Sequence, residues 1–358
     1  MRFCFFAERQ VGIGSAAAAI EPYIRAQGHQ WHDVTYLEQN GIIERLPLPR
    51  RVAGTMRGFL QVLKTVQRER YDALLFLTHN PAVFHQAAIA KTPTVLWTDV
   101  TPALLDLQAV HYDHPTDRFL PVQWMKTALV RSTFRRAALC LGWSEWARAS
   151  FVRDYGIAAN HTAVVPPGID LERWRALGRV SNPLTPRILF VGGNFERKGG
   201  KLLLDVFRTY LRGRVELDLV TRDSIPKEPG VRLYRGLTPA SPELFELYRT
   251  ASMFVLPTQA DCFSMAVLEA MAMGLPVVVS DVGGISDIVE PGRSGYLINS
   301  NDGSALRSAI EELLADPSRS AAFGARGRAV VEQRFSADTT AHCLLNLLAQ
   351  CARARSTV

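Results

Sequence analysis

The sequence contains no uninterrupted apolar run of about 18 residues, so no segment reads as a transmembrane helix. It has few cysteines: Cys4, Cys140, Cys262, Cys343 and Cys351, scattered and odd in number. None forms a C-x-x-C pair, so neither a zinc site nor a disulfide framework is indicated. A reducing cytoplasm is the expected setting. Low-complexity tracts and short repeats are missing. The 25 glycines and 20 prolines follow no fixed period, which excludes a collagen-like chain. The opening MRFCFFAERQ has too short an apolar run for a signal-peptide core and reads as a first strand. Charge is not one-sided either. There are 41 basic and 34 acidic residues, a net +7. Residues 1–178 hold 20 against 15, and the remainder 21 against 19, so most of the excess lies in the first half. Such a balance is compatible with phosphorylated ligands, an anionic membrane or a solvated basic face. Nucleic acid is not expected, because no basic–aromatic module is recognisable.

What is present is a folded composition, 47% hydrophobic and 21% charged, which argues against disorder. At about 100–200 residues per domain, 358 residues imply two or three domains. Short apolar runs alternate with amphipathic stretches from end to end. Strands are expected at 2–6, 30–34, 73–77, 94–98 and 138–143, then at 187–191, 216–221, 231–234, 253–257 and 276–280. Helices are expected at 16–27, 56–69 and 201–211. This alternation implies α/β architecture with parallel sheets and helices on both faces. It occurs twice, separated by VVPPGID and ALGRVSNPLTPR, which places a domain boundary near residue 178. Two doubly wound, Rossmann-like domains imply a cleft, with ligands at the carboxyl ends of the strands.

Three loops carry candidate chemistry. After the first strand, Gly12, Gly14 and Ala17 fit G-x-G-x-x-A. They form either a tight turn into a helix or a phosphate-binding turn. A dehydrogenase would add Asp33 or Glu38 as the ribose acid, but the glycines begin several residues after the strand. The second loop, VGGNFERKGG, places Gly192, Gly193 and Asn194 after a strand, with Arg197 and Lys198 just before a helix near Gly200. Two cations beside a helix start suit an anion, or form a solvated charge pair. The third loop reads FVLPTQADCFSMAVLEAMAMGLPVVVSDVGG. A helix is expected from about Phe263 to Met273, with Asp261 just before it and Glu269 eight positions on. The axial gap is roughly 10 Å at 1.5 Å per residue. Between the two acids lie the amino groups around Phe263, Ser264 and Met265. One carboxylate can bind sugar hydroxyls, the amides a diphosphate and the other carboxylate a ribose diol, as a nucleoside-diphosphate sugar requires. Alternatively, Asp261 is a helix cap and Glu269 a surface residue.

DCFSMAVLEAMAMGLPVVVSDVGGISDIVEPGRSGYLI, VGGNFERKGG and VVPPGIDLERW resemble the motifs of family-4 glycosyltransferases of the GT-B fold. WTDVTPALLD and LGWSEWARASFVRDYGI resemble a bacterial branch of that family. The resemblance implies two Rossmann-like domains facing across a cleft. Residues 1–177 would form the acceptor side, 178–335 would bind the nucleotide sugar, and a helix from about 336 would return to the first domain. It implies a retaining transferase that needs no metal and no cofactor beyond its donor substrate. Lys198 with Arg197 would hold the diphosphate, Glu269 the ribose and Asp261 the transferred sugar. Phe263, Ser264, Met265, Ala266 and Val267 would line the phosphates.

Three departures stand out. Asp261 replaces the usual Glu. The arginine common near Gly193 is missing, with Arg197 or Arg222 as substitutes. The usual histidine after the fourth strand is replaced by Thr98-Asp99, where Asp99 takes part of its role or caps the helix at Thr101-Pro102.

The acceptor, a saccharide, lipid-linked or small molecule, is expected on the first domain. Arg45, Arg50, Arg51, Arg57, Lys64, Arg68 and Arg70, interleaved with Phe59, Leu60 and Leu63, form either a solvated basic face or a peripheral contact with anionic lipid. Trp124, Trp143 and Trp146 are read as core residues, with stacking on a sugar as the alternative. His111 and His114, near Asp113 and Asp117, lack a third convincing metal ligand. Nucleotide-sugar epimerisation and non-catalytic nucleotide-sugar binding are the alternative functions.

Overall fold

The computed structural model describes residues 1–8, 12–36, 50–112, 120–174, 185–239 and 241–356. Twelve strands among them form two sheets. The first contains β1 (Phe3–Glu8), β2 (Gln30–Val34), β3 (Ala73–Phe76), β4 (Thr94–Thr98), β5 (Leu139–Gly142) and β6 (Thr162–Val164) in the order β2-β1-β3-β4-β5-β6. The second contains β7 (Arg187–Val191), β8 (Glu216–Val220), β9 (Val231–Tyr234), β10 (Met253–Leu256), β11 (Val277–Ser280) and β12 (Gly295–Ile298) in the order β12-β11-β10-β7-β8-β9. Every pairing is parallel. The cause lies in the strand sequences. FCFFAE, ALLF, MFVL and VVVS are buried at every position, as strands covered on both faces must be.

All ten strands expected from sequence are present. Two more, β6 and β12, were missed. Both are edge strands, of three and four residues, with partly exposed positions, TAV and GYLI. Next to VVPPG and GRSG they lack the long apolar run that marks a covered strand. The helices expected at 16–27 and 56–69 are Ile13–Ala26 and Arg50–Arg68. The one expected at 201–211 runs as Gly200–Val206 and then widens into a π-turn over Phe207–Leu211.

By contacts the chain divides into two units. One consists of Met1–Leu107, Pro115–Gly168 and Ala337–Val358; the other of Gln108–His114 and Ile169–Ser336. Residue 178 lies outside the described residues. The final helix, Ala337–Ser356, is grouped with the first unit. Ala337, Thr340, Ala341, Leu344, Leu348 and Ala352 are buried along one helical stripe. Thr340 donates to Pro166 O (3.1 Å) and Arg355 to Ala90 O (2.9 Å).

In each sheet the chain order reverses once. The first reverses between β1 and β3, the second between β7 and β10. A crevice for ligands opens at such a reversal, past the carboxyl ends of the two strands.

Candidate functional site

In the second unit that reversal collects the sequence's strongest candidates. The loop after β7 carries Gly192 to Lys198, and the loop after β10 carries Asp261 to Ser264. Gly192 N donates to Val220 O (2.9 Å), holding the first loop on β8. The Asn194 side chain accepts from Arg197 N (2.8 Å), and its carbonyl accepts from Lys198 N (3.1 Å). This folds the cationic pair back over the sheet end. Gly199 is at φ +77°, and a Cβ there would lie 1.8 Å from Pro257 O. Only glycine lets the two loops approach this closely.

Lys198 and Asp261 form an ion pair, the aspartate side chain buried at 7% exposed and the lysine half-buried at 14%. Arg197 Nη1 donates to Ala260 O (2.7 Å), one residue from the acid. Asp261 is therefore no helix cap. Its loop is clamped from the other side, where Gly284 N donates to Cys262 O (2.9 Å). Gly283, at φ +57°, has no room for a Cβ, which would fall 1.9 Å from Asp261 O. Next to this clamp Ser264 is extended, and the helix runs Met265–Ala272 and not from Phe263. Ser264 stands at its N-cap and makes no side-chain capping bond. The Phe263, Ser264, Met265 and Val267 side chains are buried and Ala266 partly so. What the first turn offers a ligand is therefore its backbone amides.

Glu269 is not a surface residue. It is buried, and its Oε2 accepts from the Tyr248 hydroxyl (3.0 Å). Burial pushes its carboxyl up from 4.5 to about 7, opposed by the Tyr248 hydrogen bond and the positive charge of Arg173. The Tyr248 ring packs edge-on to Trp174, 5.3 Å between centroids. Tyr248 was not anticipated from sequence: it lies 21 positions upstream, on the helix Pro242–Thr250, with no local signal tying it to Glu269.

Of the two cations expected as substitutes near Gly193, Arg222 lies directly beside it. Its Nε donates to Gly193 O (3.2 Å), and a Cβ on Gly193 would lie 3.1 Å from that nitrogen. The structure thus brings Gly192, Gly193, Asn194, Arg197, Lys198, Arg222, Asp261 and the Met265–Ala272 helix to one sheet reversal.

The first unit carries Gly12, Gly14 and Asp99. Gly12 directly precedes the helix Ile13–Ala26, and Gly14 sits inside its first turn. Asp99 follows β4, half-buried, with the Thr98 hydroxyl 3.5 Å from its Oδ1. Next along, Thr101 Oγ1 accepts from Leu104 N (3.4 Å) at the start of the helix Pro102–Leu107.

Two other expectations are corrected. Arg57 does not belong to an exposed basic face: it is buried, and Nη1 donates to Tyr36 O, because glycines at 54 and 58 draw this part of the helix against Tyr36. Trp124 is not core but 75% exposed, whereas Trp143 is buried beside Trp97. Trp146 is partly buried. Arg45, Asp113, His114 and Asp117 lie outside the described residues.

Comparison with known proteins covers both halves. A family model described as Glycosyltransferase Family 4 matches residues 12–173, and one described as Glycosyl transferases group 1 matches residues 185–316. The D-inositol 3-phosphate glycosyltransferase 1 of Catenulispora acidiphila is 30% identical over 200 residues, 48% of this chain and 47% of that protein. A D-inositol 3-phosphate glycosyltransferase of Geodermatophilus obscurus is 33% identical over 193 residues, 46% and 42% respectively. The match thus spans just under half the length of these curated relatives. Among solved structures, the sucrose-phosphate synthase of Thermosynechococcus elongatus superposes with a TM-score of 0.74 at 18% identity, over 99% of this chain and 100% of that one. Anabaena HepE in complex with UDP gives 0.71 at 17% identity, over 98% and 100%. One family model on each half and the same pair of parallel sheets throughout make this chain a member of the family-4 glycosyltransferases of the GT-B fold.

Proposed function

We propose that this protein transfers a sugar from a nucleoside-diphosphate sugar to a hydroxyl-bearing acceptor, with retention of configuration and without a metal ion. The observation that carries it is the Lys198–Asp261 pair at the β7/β10 reversal, with Arg197 beside it and the uncapped turn of the Met265–Ala272 helix adjoining. A diphosphate and its sugar are joined by one bond, so groups that bind either side of that bond must be neighbours. Lys198 and Arg197 take the phosphates and Asp261 takes sugar hydroxyls.

As the bond to the sugar breaks, negative charge grows on the leaving phosphate. The two cations and the helix amino end stabilise that charge, the task a divalent cation serves in other transferases. Retention follows when the departing phosphate oxygen accepts the acceptor's proton on the face it leaves. Glu269, ionised, accepts from the ribose diol. Asp261 is one methylene shorter than the family's usual glutamate, and its pairing with Lys198 fixes where that carboxylate reaches.

The acceptor belongs to the first unit, and inositol phosphate is a sensible first probe because the matched relatives are named for it. UDP-sugars come first as donors, given the UDP complex of HepE. Lys198→Ala and Glu269→Ala should each lose donor hydrolysis and transfer by 100-fold or more, roughly the effect of one oxyanion-stabilising group. Wild-type rates in both would refute the assignment. Turnover of donor without acceptor would instead favour an epimerase, and binding without turnover a nucleotide-sugar-binding protein.

The same reading includes a cytoplasmic setting and a peripheral contact with anionic lipid. Trp124 and Met125 are exposed on the helix Leu120–Arg136, which also carries Lys126, Arg131, Arg135 and Arg136. Sedimentation with anionic and neutral vesicles tests this contact; equal recovery with both would remove it from the proposal.

A further inference from the structure

The segment Gln108–His114 interrupts the first unit in sequence, yet its contacts group it with the second. Its short helix, Ala109–Tyr112, ends on a tyrosine that reaches the donor loops. The Arg197 guanidinium carbon lies 4.3 Å from the centroid of the Tyr112 ring. The Tyr112 hydroxyl is 3.4 Å from Cys262 Sγ. Arg197 precedes Lys198 and Cys262 follows Asp261, so one ring touches the neighbours of both members of that ion pair. Burial, with Cys262 and Asp261 close by, pushes the Tyr112 hydroxyl far above its ordinary range, so it remains neutral. The ring thus offers Arg197 its π-face and no competing charge.

Arg197 is held from two directions, by this ring and by Ala260 O at 2.7 Å. A free arginine side chain must give up much rotamer freedom to bind a phosphate; one already stacked and hydrogen-bonded gives up less.

We infer that Tyr112 is a positioning residue for the donor, holding the Arg197 guanidinium in a preset orientation for the diphosphate. This rests on the reading of Arg197 as a diphosphate ligand, and it deepens that reading by naming what orients the ligand. The ring face does the work. Removing it costs donor affinity by a factor of roughly 3 to 30, the range of a cation–π contact between exposed and desolvated settings.

The test is calorimetric titration of the full chain with whichever of UDP, GDP, ADP and dTDP the wild type binds. Tyr112→Phe keeps the stack and should bind within twofold of wild type. Tyr112→Ala should bind roughly 3- to 30-fold more weakly, and kcat at saturating donor should fall as well, because Arg197 also meets the charge growing on the leaving phosphate. Tyr112→Leu, which keeps bulk without a ring, should match the alanine variant and replaces it if that variant fails to fold. Arg197→Ala should bind more weakly still, and adding Tyr112→Ala to it should cost nothing more.

Wild-type affinity in Tyr112→Ala and Tyr112→Leu beside a weakened Arg197→Ala overturns the inference and leaves the diphosphate assignment standing. Additive losses in the double variant overturn it as well, since Tyr112 would then act apart from Arg197. Unchanged affinity in Arg197→Ala overturns the diphosphate assignment and the inference together.

Discussion

Replacing Glu269 by glutamine should flatten the pH dependence of stability. The wild-type carboxyl is raised by burial from 4.5 to about 7. At about 1.36 kcal/mol for each pH unit, that amounts to about 3 kcal/mol. The direction follows from linkage. Below pH 4.5 the carboxyl is protonated in both folded and unfolded chains, and its contribution to stability is present in full. Between 4.5 and 7 the unfolded chain releases the proton while the fold retains it, so stability falls as pH rises. Above 7 the folded carboxylate is ionised and the loss is complete. Glu269→Gln has nothing to titrate there. Urea unfolding of the two proteins at pH 5 and pH 8 should show the variant gaining on the wild type by up to about 3 kcal/mol at the higher pH. Parallel pH profiles would refute the assignment of a raised carboxyl. Donor binding should move the opposite way. If the ionised carboxylate accepts from the ribose diol, wild-type donor affinity rises as pH passes 7, over the range where stability has been given up.

Two further predictions rest on close packing and burial. Gly199→Ala places a methyl 1.8 Å from Pro257 O in a left-handed backbone conformation, so one of the two donor loops must move. We expect a loss of about 2 kcal/mol or more in urea unfolding together with a fall in donor affinity, and wild-type behaviour in both would contradict the geometry. Cys4 and Cys140 are buried, with thiols pushed up to about 12 by desolvation. Cys343 is exposed and Cys351 partly so. Mass mapping after mild alkylation at neutral pH should find label on Cys343 and Cys351 and none on Cys4 or Cys140 until denaturant is added.

The central strands were legible because burial on both faces writes itself as a run of apolar residues, as in VVVS and MFVL. The edge strands β6 and β12 were not, since an edge needs neither length nor an unbroken run. The acids at 261 and 269 and the cations at 197 and 198 were readable through their spacing from strand ends. Their partners were not. Tyr248 meets Glu269 across 21 positions, and Tyr112 reaches Arg197 from the other half of the chain. Such meetings are decided by how elements pack, and no local periodicity encodes them. The helix start moved from Phe263 to Met265 for the same reason: the backbone at Cys262 is claimed by Gly284, a loop away.

The helix Ala337–Ser356 has a consequence for how the polypeptide matures. Its apolar stripe belongs with strands and helices made more than 150 residues earlier, as the bonds from Thr340 to Pro166 and from Arg355 to Ala90 attest. On the ribosome, the stretch made second can therefore close its own core before the stretch made first has received its last piece. The stretch made first therefore waits, with part of its apolar surface open, for a helix synthesised more than 150 residues later.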